Sequence, residues 1–155
     1  MADTAITIAR NRTTSLSLEE QARGFSHKFN VQYSDIAYGS GATDTVTVTL
    51  GALPAFYAVD RALVAIRTAF AGTTAMTVVV GTTTSTNAFV TSQSILTAGA
   101  LAGALSPSSI SSATATKNMV AVFTNATGGS PSALTAGNLD IYLNIIDVGT
   151  APSLG

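Results

Sequence analysis

Residues 45–50 read Thr45-Val46-Thr47-Val48-Thr49-Leu50, apolar and hydroxyl side chains in strict alternation. A β-strand turns successive side chains to opposite faces, whereas a helix needs its apolar residues three or four apart. The spacing therefore demands a half-buried strand, with Val46, Val48 and Leu50 facing a core and the three threonines facing away.

The same period returns along the chain. Ile6 and Ile8 alternate within 4–10, and Phe25, His27, Phe29, Val31 and Tyr33 share one face over 25–33. A longer strand runs from Val59 to Phe70, with Ala62, Val64, Ile66 and Phe70 opposite Arg61 and Arg67. Met76 to Val80 follows the turn material Ala71-Gly72-Thr73-Thr74, so the two strands are predicted to form a hairpin. Over 118–124, Met119, Ala121 and Phe123 alternate with Val120 and Val122, which predicts a strand covered on both faces. Over 138–148, Leu139, Ile141, Leu143 and Ile145 oppose Asp140, Tyr142, Asn144 and Ile146. The stretch 82–117 carries weak patterns only. It is expected to cross one end of the molecule, with a short strand near Phe89-Val90-Thr91 and a helical turn near Ile95 to Ala98.

Seven or eight strands in 155 residues predict one all-β domain, a sandwich or barrel. A long crossover is normal in jelly rolls and Greek keys. The expected architecture is an antiparallel jelly-roll β-sandwich over residues 25–149, with an N-terminal arm over 1–24 and a short tail over 150–155. The arm is a strand, a polar link and a short helix. Ser17 and Glu20 have the spacing of a capping box, and Gly24 is placed to end the helix. A helix so short needs something to dock on. The arm also concentrates charge: Arg10, Arg12, Glu19, Glu20 and Arg23. Arg10, Arg12, Leu16, Leu18 and Arg23 are the residues expected to touch a partner. The same residues also fit an ordinary first strand and loop of the domain.

Charge narrows the function classes. Charged residues make up 10% of the chain and the net charge is −1, against roughly 25% charged in an ordinary soluble domain. No charged residue occurs between Arg67 and Lys117. Disorder usually goes with high charge and low hydrophobicity, but here 46% of residues are hydrophobic, so folded strands with Ser/Thr/Gly loops are expected. A skin so poor in charge has little repulsion to keep copies apart, which favours a subunit covered by neighbours. Seven basic residues against eight acidic ones leave no electrostatic footprint for nucleic acid. The run from Ile95 to Leu105 is too short and glycine-broken to span a bilayer. The first residues lack the pattern of a secretory signal, so Asn11-Arg12-Thr13 and Asn125-Ala126-Thr127 are expected to be chance matches to the glycosylation motif.

Catalytic patterns are missing. His27 is the sole histidine, there is no cysteine, and no Gly-x-Ser-x-Gly elbow presents a nucleophile. His27 is expected to be a packed structural residue. The acids are scattered, and Glu19 and Glu20 are adjacent rather than on one helix face, so no metal set is predicted. Nothing selects a catalytic pair among Asp35, Asp44, Asp60, Asp140 and Asp147. Asp60 before Arg61 is expected to mark a solvated strand entry. Gly39-Ser40-Gly41 lacks the lysine of a phosphate loop, and the absence of tryptophan counts against sugar stacking. No catalytic residue and no cofactor is expected.

The segments Thr68-Ala69-Phe70-Ala71-Gly72-Thr73 leading into Met76–Gly81, then Thr86-Asn87-Ala88-Phe89-Val90, then Leu134-Thr135-Ala136-Gly137-Asn138-Leu139-Asp140-Ile141-Tyr142-Leu143 form a recurring set of strand ends. Over about residues 45–148 the chain resembles the small jelly-roll proteins of tailed-bacteriophage virions, especially capsid cement or decoration proteins. The resemblance implies a dimer or trimer on the capsid exterior, made in the host cytoplasm, that bridges neighbouring major capsid proteins. It carries over no site residue. Tail, fibre or baseplate jelly rolls share such strands, and a carbohydrate-binding β-sandwich is a further alternative.

Overall fold

The computed structural model describes residues 5–9, 17–22, 24–37, 45–102, 115–125 and 131–147. Among these residues, nine strands and two short helices follow one another as β1 (Ala5–Ala9), α1 (Leu18–Ala22), β2 (His27–Gln32), α2 (Tyr33–Ile36), β3 (Thr45–Leu53), β4 (Tyr57–Ala71), β5 (Met76–Thr82), β6 (Val90–Ser94), β7 (Gly99–Ala102), β8 (Lys117–Asn125) and β9 (Ala136–Asp147). A 3-10 turn at Pro131–Ala133 precedes β9.

The strands form two sheets, ordered β1-β3-β8-β5-β6 and β2-β9-β4-β7. From β2 onward every connection changes sheet except β5 to β6. That winding, with β9 returning between β2 and β4 and β8 between β3 and β5, is a jelly roll. All pairings are antiparallel except one: β1 lies parallel to β3, from Ala5 opposite Thr45 to Ala9 opposite Thr49. The antiparallel sandwich expected over 25–149 is thus observed, and β1, which belongs to the arm, adds to its edge in the direction of β3.

The core is the space between the sheets. Val46, Val48 and Leu50 of β3 and Met119, Ala121 and Phe123 of β8 meet Val64 and Ile66 of β4 and Leu139, Ile141 and Leu143 of β9, all buried. Each such side chain contributes about 1.5–3 kcal/mol when removed from water. Phe70 and Phe123 approach from opposite sheets with ring centroids 6.4 Å apart.

That contact explains why the predicted hairpin is absent. β4 pairs with β9 and β7, whereas β5 pairs with β8 and β6. A hairpin would have set Phe70 and Met76 side by side on one sheet, but the chain arches across so that both enter the core from opposite walls. Gly72 makes the arch possible: its φ is 110°, and a Cβ there would collide with the carbonyl of Ala133.

Other expectations change as well. The stretch after Thr82 does not simply cross an end; it supplies β6 to one sheet and β7 to the other. No helical turn forms at 95–98. Ile95 is buried, its N–H donates to Met76 O and its carbonyl accepts from Phe70 N, so it is held extended between the sheets. Tyr33 leaves the predicted strand, because the chain turns into α2 where Asp35 Oδ2 accepts the Gln32 N–H at 3.0 Å. Asn125 is fully buried on β8. The tail over 150–155 lies outside the described residues.

Candidate interaction faces

The two sheets turn different chemistry outward. On β4 the outward residues are set by irregularities. The register slips between Val59 and Arg61 and again between Ile66 and Thr68. A bulge places two successive residues on one side of a strand and re-aims them. Here the residues passed over are Asp60 and Arg67. Asp60 is therefore no strand entry: it lies within β4 and accepts a hydrogen bond from Asn144 Nδ2 at 2.6 Å.

Arg67 reaches the centre of the β2-β9-β4 outer face. Its Nε–H donates to Asp140 Oδ2 at 2.9 Å, and its Nη2 donates to the Tyr142 hydroxyl. Asn30 Nδ2 donates to Asp140 Oδ1 at 2.9 Å, and Lys28 Nζ stands 3.9 Å from Oδ2. Asp140 is thereby buried (8% side-chain exposure) with cations on one oxygen and an amide on the other, while Arg67 remains half exposed at 51%. The hydrogen bond to Asp140 holds the Arg67 guanidinium above its usual pKa, with Tyr142 adding to the effect. Both cations also lie over the Tyr142 ring, Lys28 at 5.5 Å and Arg67 at 5.9 Å from its centroid. Phe25 closes the cluster, 5.4 Å from the same ring. Sequence alternation had set Phe25 beside Phe29. The strand starts only at His27, so Phe25 escapes the pleat and lies on the outer face.

The sheet β3-β8-β5-β6 is the opposite. In its four strands the sole charged residue is Lys117, the first of β8. Thr45, Thr47 and Thr49 of β3 point outward, as do Val122 and Thr124 of β8 and Thr77 and Val79 of β5. Registers align Thr45 with Thr124, Thr124 with Thr77, and Thr77 with Ser94. A hydroxyl row thus crosses all four strands, with valines beside it.

His27 sits at one end of the sandwich, as a packed residue. Its ring stacks on Phe29 at 6.3 Å, and Nδ1 is 2.7 Å from Ser26 Oγ, which accepts the Ile145 N–H at 2.8 Å. With Leu50, Met119 and Ile145 it lines a cleft of about 200 Å³. That is below the roughly 300 Å³ at which small-molecule pockets begin. Among the described residues the imidazole meets Ser26 and Phe29. Among the described residues no three His, Cys, Asp or Glu stand together for a metal, and no helix is long and apolar enough to cross a membrane.

Of the five residues expected to contact a partner, Leu18 alone is described; Arg10, Arg12, Leu16 and Arg23 lie outside the described residues. Leu18 opens α1 with 85% of its surface in water. The helix itself is one turn, with Gln21 N donating to Ser17 O at 3.0 Å and Gly24 N to Gln21 O at 3.0 Å. The Arg67–Asp140–Tyr142 cluster is the part of the surface that sequence reasoning missed. Its three residues come from two strands, β4 and β9, with Lys28 and Asn30 of β2 beside them, and only the outward parity of Arg67, Asp140 and Tyr142 hinted at it.

No protein-family model, curated protein or solved structure matches this chain.

Proposed function

We propose that the chain is a virion structural protein: a capsid cement, or decoration, protein that binds and stabilises the major-capsid-protein shell of a tailed bacteriophage from the outside. The observation that carries the reading is a jelly roll with one sheet in which, among the described residues, the outward side chains are threonine, serine and valine rather than charged. Burying threonine and valine against a neighbour costs far less desolvation than burying ions. Charge depletion is the composition of interface cores. The opposite face adds arginine and aromatic residues already fixed by their own contacts, Arg67 among them, so little side-chain freedom remains to be lost on binding. The exposed Leu18 offers a further apolar contact. The resemblance of residues 45–148 to decoration proteins supplies the particle.

The test is the protein content of purified particles. A fixed ratio to the major capsid protein, set by the capsid lattice, is the expected result. A few copies per particle would move the chain to the tail or baseplate, and its absence from particles would end the proposal.

A further inference from the structure

We infer that the free edge of β3 is a strand-accepting site and that residues 5–9 of this same chain are its occupant. β1 is a detachable strand that closes the edge, and the eight strands β2 to β9 stand without it. This holds whether or not the chain decorates a capsid.

β1 is held differently from the strands around it. Strands β2 to β9 make two sheets of four, β3-β8-β5-β6 and β2-β9-β4-β7, and that set already completes the jelly roll. β1 pairs with β3 alone, and its ladder is the one parallel pairing among the described residues. A parallel pair is slightly less stable per residue than an antiparallel one. The β1 ladder runs only from Ala5 to Ala9, whereas β3 and β8 stay paired from Thr45 opposite Thr124 to Leu53 opposite Lys117. Losing β1 therefore breaks one short ladder and leaves the order of the other eight strands as it is.

The stretch that β1 covers shows what it does. A bare strand edge presents unpaired N–H and C=O groups to any extended chain, and short strands, charged side chains and bulges blunt it. The other three edges of the two sheets are blunted in these ways: β6 has five residues, β7 has four, and β2 carries Lys28. β3 has nine residues, no charge, and opens with Thr45-Val46-Thr47-Val48-Thr49, β-branched throughout. An uncharged, proline-free run of that kind is what cross-β stacking selects. The regular pairing of β3 with β8 breaks at an irregularity between Thr49 and Gly51. β1 lies opposite Thr45 to Thr49 and stops there. It covers the flat part of the edge and leaves the part that the irregularity already spoils. Ile6 and Ile8 stand in register with Val46 and Val48, both buried, so a segment that fills the site carries apolar residues at those two positions.

Thr7→Pro/Ile8→Pro in the full chain tests it. Successive residues of a strand aim their N–H groups to opposite sides, so one of the two prolines removes a donor from the β1 ladder whichever parity faces β3. The variant is expected to keep the native far-UV circular dichroism and a cooperative thermal transition, yet to aggregate several-fold faster by light scattering. It is also expected to bind a fluorescent peptide of residues 3–10 saturably in anisotropy titrations. The native chain is expected to take up none of that peptide at about 50 µM, because its own tethered β1 competes at an effective concentration of roughly millimolar. In the native chain, hydrogen exchange of the β1 amides is expected to run at least about tenfold faster than that of β8, as for a strand that opens without global unfolding. A variant that loses its cooperative transition would make β1 part of the roll and overturn the inference. So would a variant that aggregates at the native rate and binds no peptide, or equal protection of β1 and β8 in the native chain.

Discussion

Arg67 and Asp140, on adjacent strands, are joined by a hydrogen bond of 2.9 Å between Nε and Oδ2, and it is a bulge in β4 that brings them together. The carboxylate is buried and the guanidinium half exposed. Such a pair costs more to break than to replace whole, because removing the cation leaves a carboxylate short of its best donor away from water. Arg67→Met is expected to lower stability by about 1–3 kcal/mol in urea denaturation. Arg67→Met/Asp140→Leu is expected to lose less than the two single changes together, with a coupling of about 0.5–3 kcal/mol. Strict additivity would show that the two side chains do not support one another.

The pH dependence of that pair follows from the sign of the Arg67 shift. The pKa is raised, through the hydrogen bond to Asp140 first. A cation held above its unfolded value contributes stability that is complete below the unfolded pKa and is lost only as pH rises through the folded one. Both lie far above neutrality, at or above the ordinary value for arginine. The stability difference between the native chain and Arg67→Met is therefore expected to be the same at about pH 7 and about pH 9. A difference that shrinks between those two values would contradict a permanently charged Arg67.

Most strands were legible because period two survives wherever one face is buried: Thr45–Leu50, Met119–Phe123 and Leu139–Leu143 all fall on the predicted faces. The pairing of strands was not. Ala71-Gly72-Thr73-Thr74 has the composition of a hairpin turn, yet the chain arches between sheets there, because the core needs Phe70 and Met76 on opposite walls. β7 escaped notice since Gly99-Ala100-Leu101-Ala102 carries no alternation strong enough to mark it. The outer cluster was invisible for a different reason. Phe25, Lys28, Arg67, Asp140 and Tyr142 meet only through tertiary pairing and a bulge, and no local spacing encodes either.

The arch itself is open to test. Gly72 has a φ of 110°, and a Cβ at that position faces backbone atoms of Ala133 and Leu134, which cannot rotate away as a side chain could. Gly72→Ala is expected to destabilise the protein by about 2 kcal/mol or more, combining the backbone strain of a positive φ with the steric clash. Thermal denaturation measures it. An unchanged midpoint would mean that the turn between β4 and β5 is not the tight crossing described above.

Core and arm are expected to separate in their effects. Phe123 is fully buried and packs against Phe70, so Phe123→Ala is expected to cost about 3–5 kcal/mol. Leu18 is the contrary case. It is 85% exposed on a helix of five residues, so Leu18→Ser removes no packing and is expected to change stability by less than about 0.5 kcal/mol. A leucine in water gains when something covers it, and full burial is worth about 1.5–3 kcal/mol. If Leu18 is covered on the shell, Leu18→Ser weakens co-sedimentation with capsids by about tenfold or more. The Phe123→Ala chain, where it still folds, keeps its affinity, because Phe123 faces the interior. A Leu18→Ser chain that binds shells as tightly as the native one would remove α1 from the proposed contact.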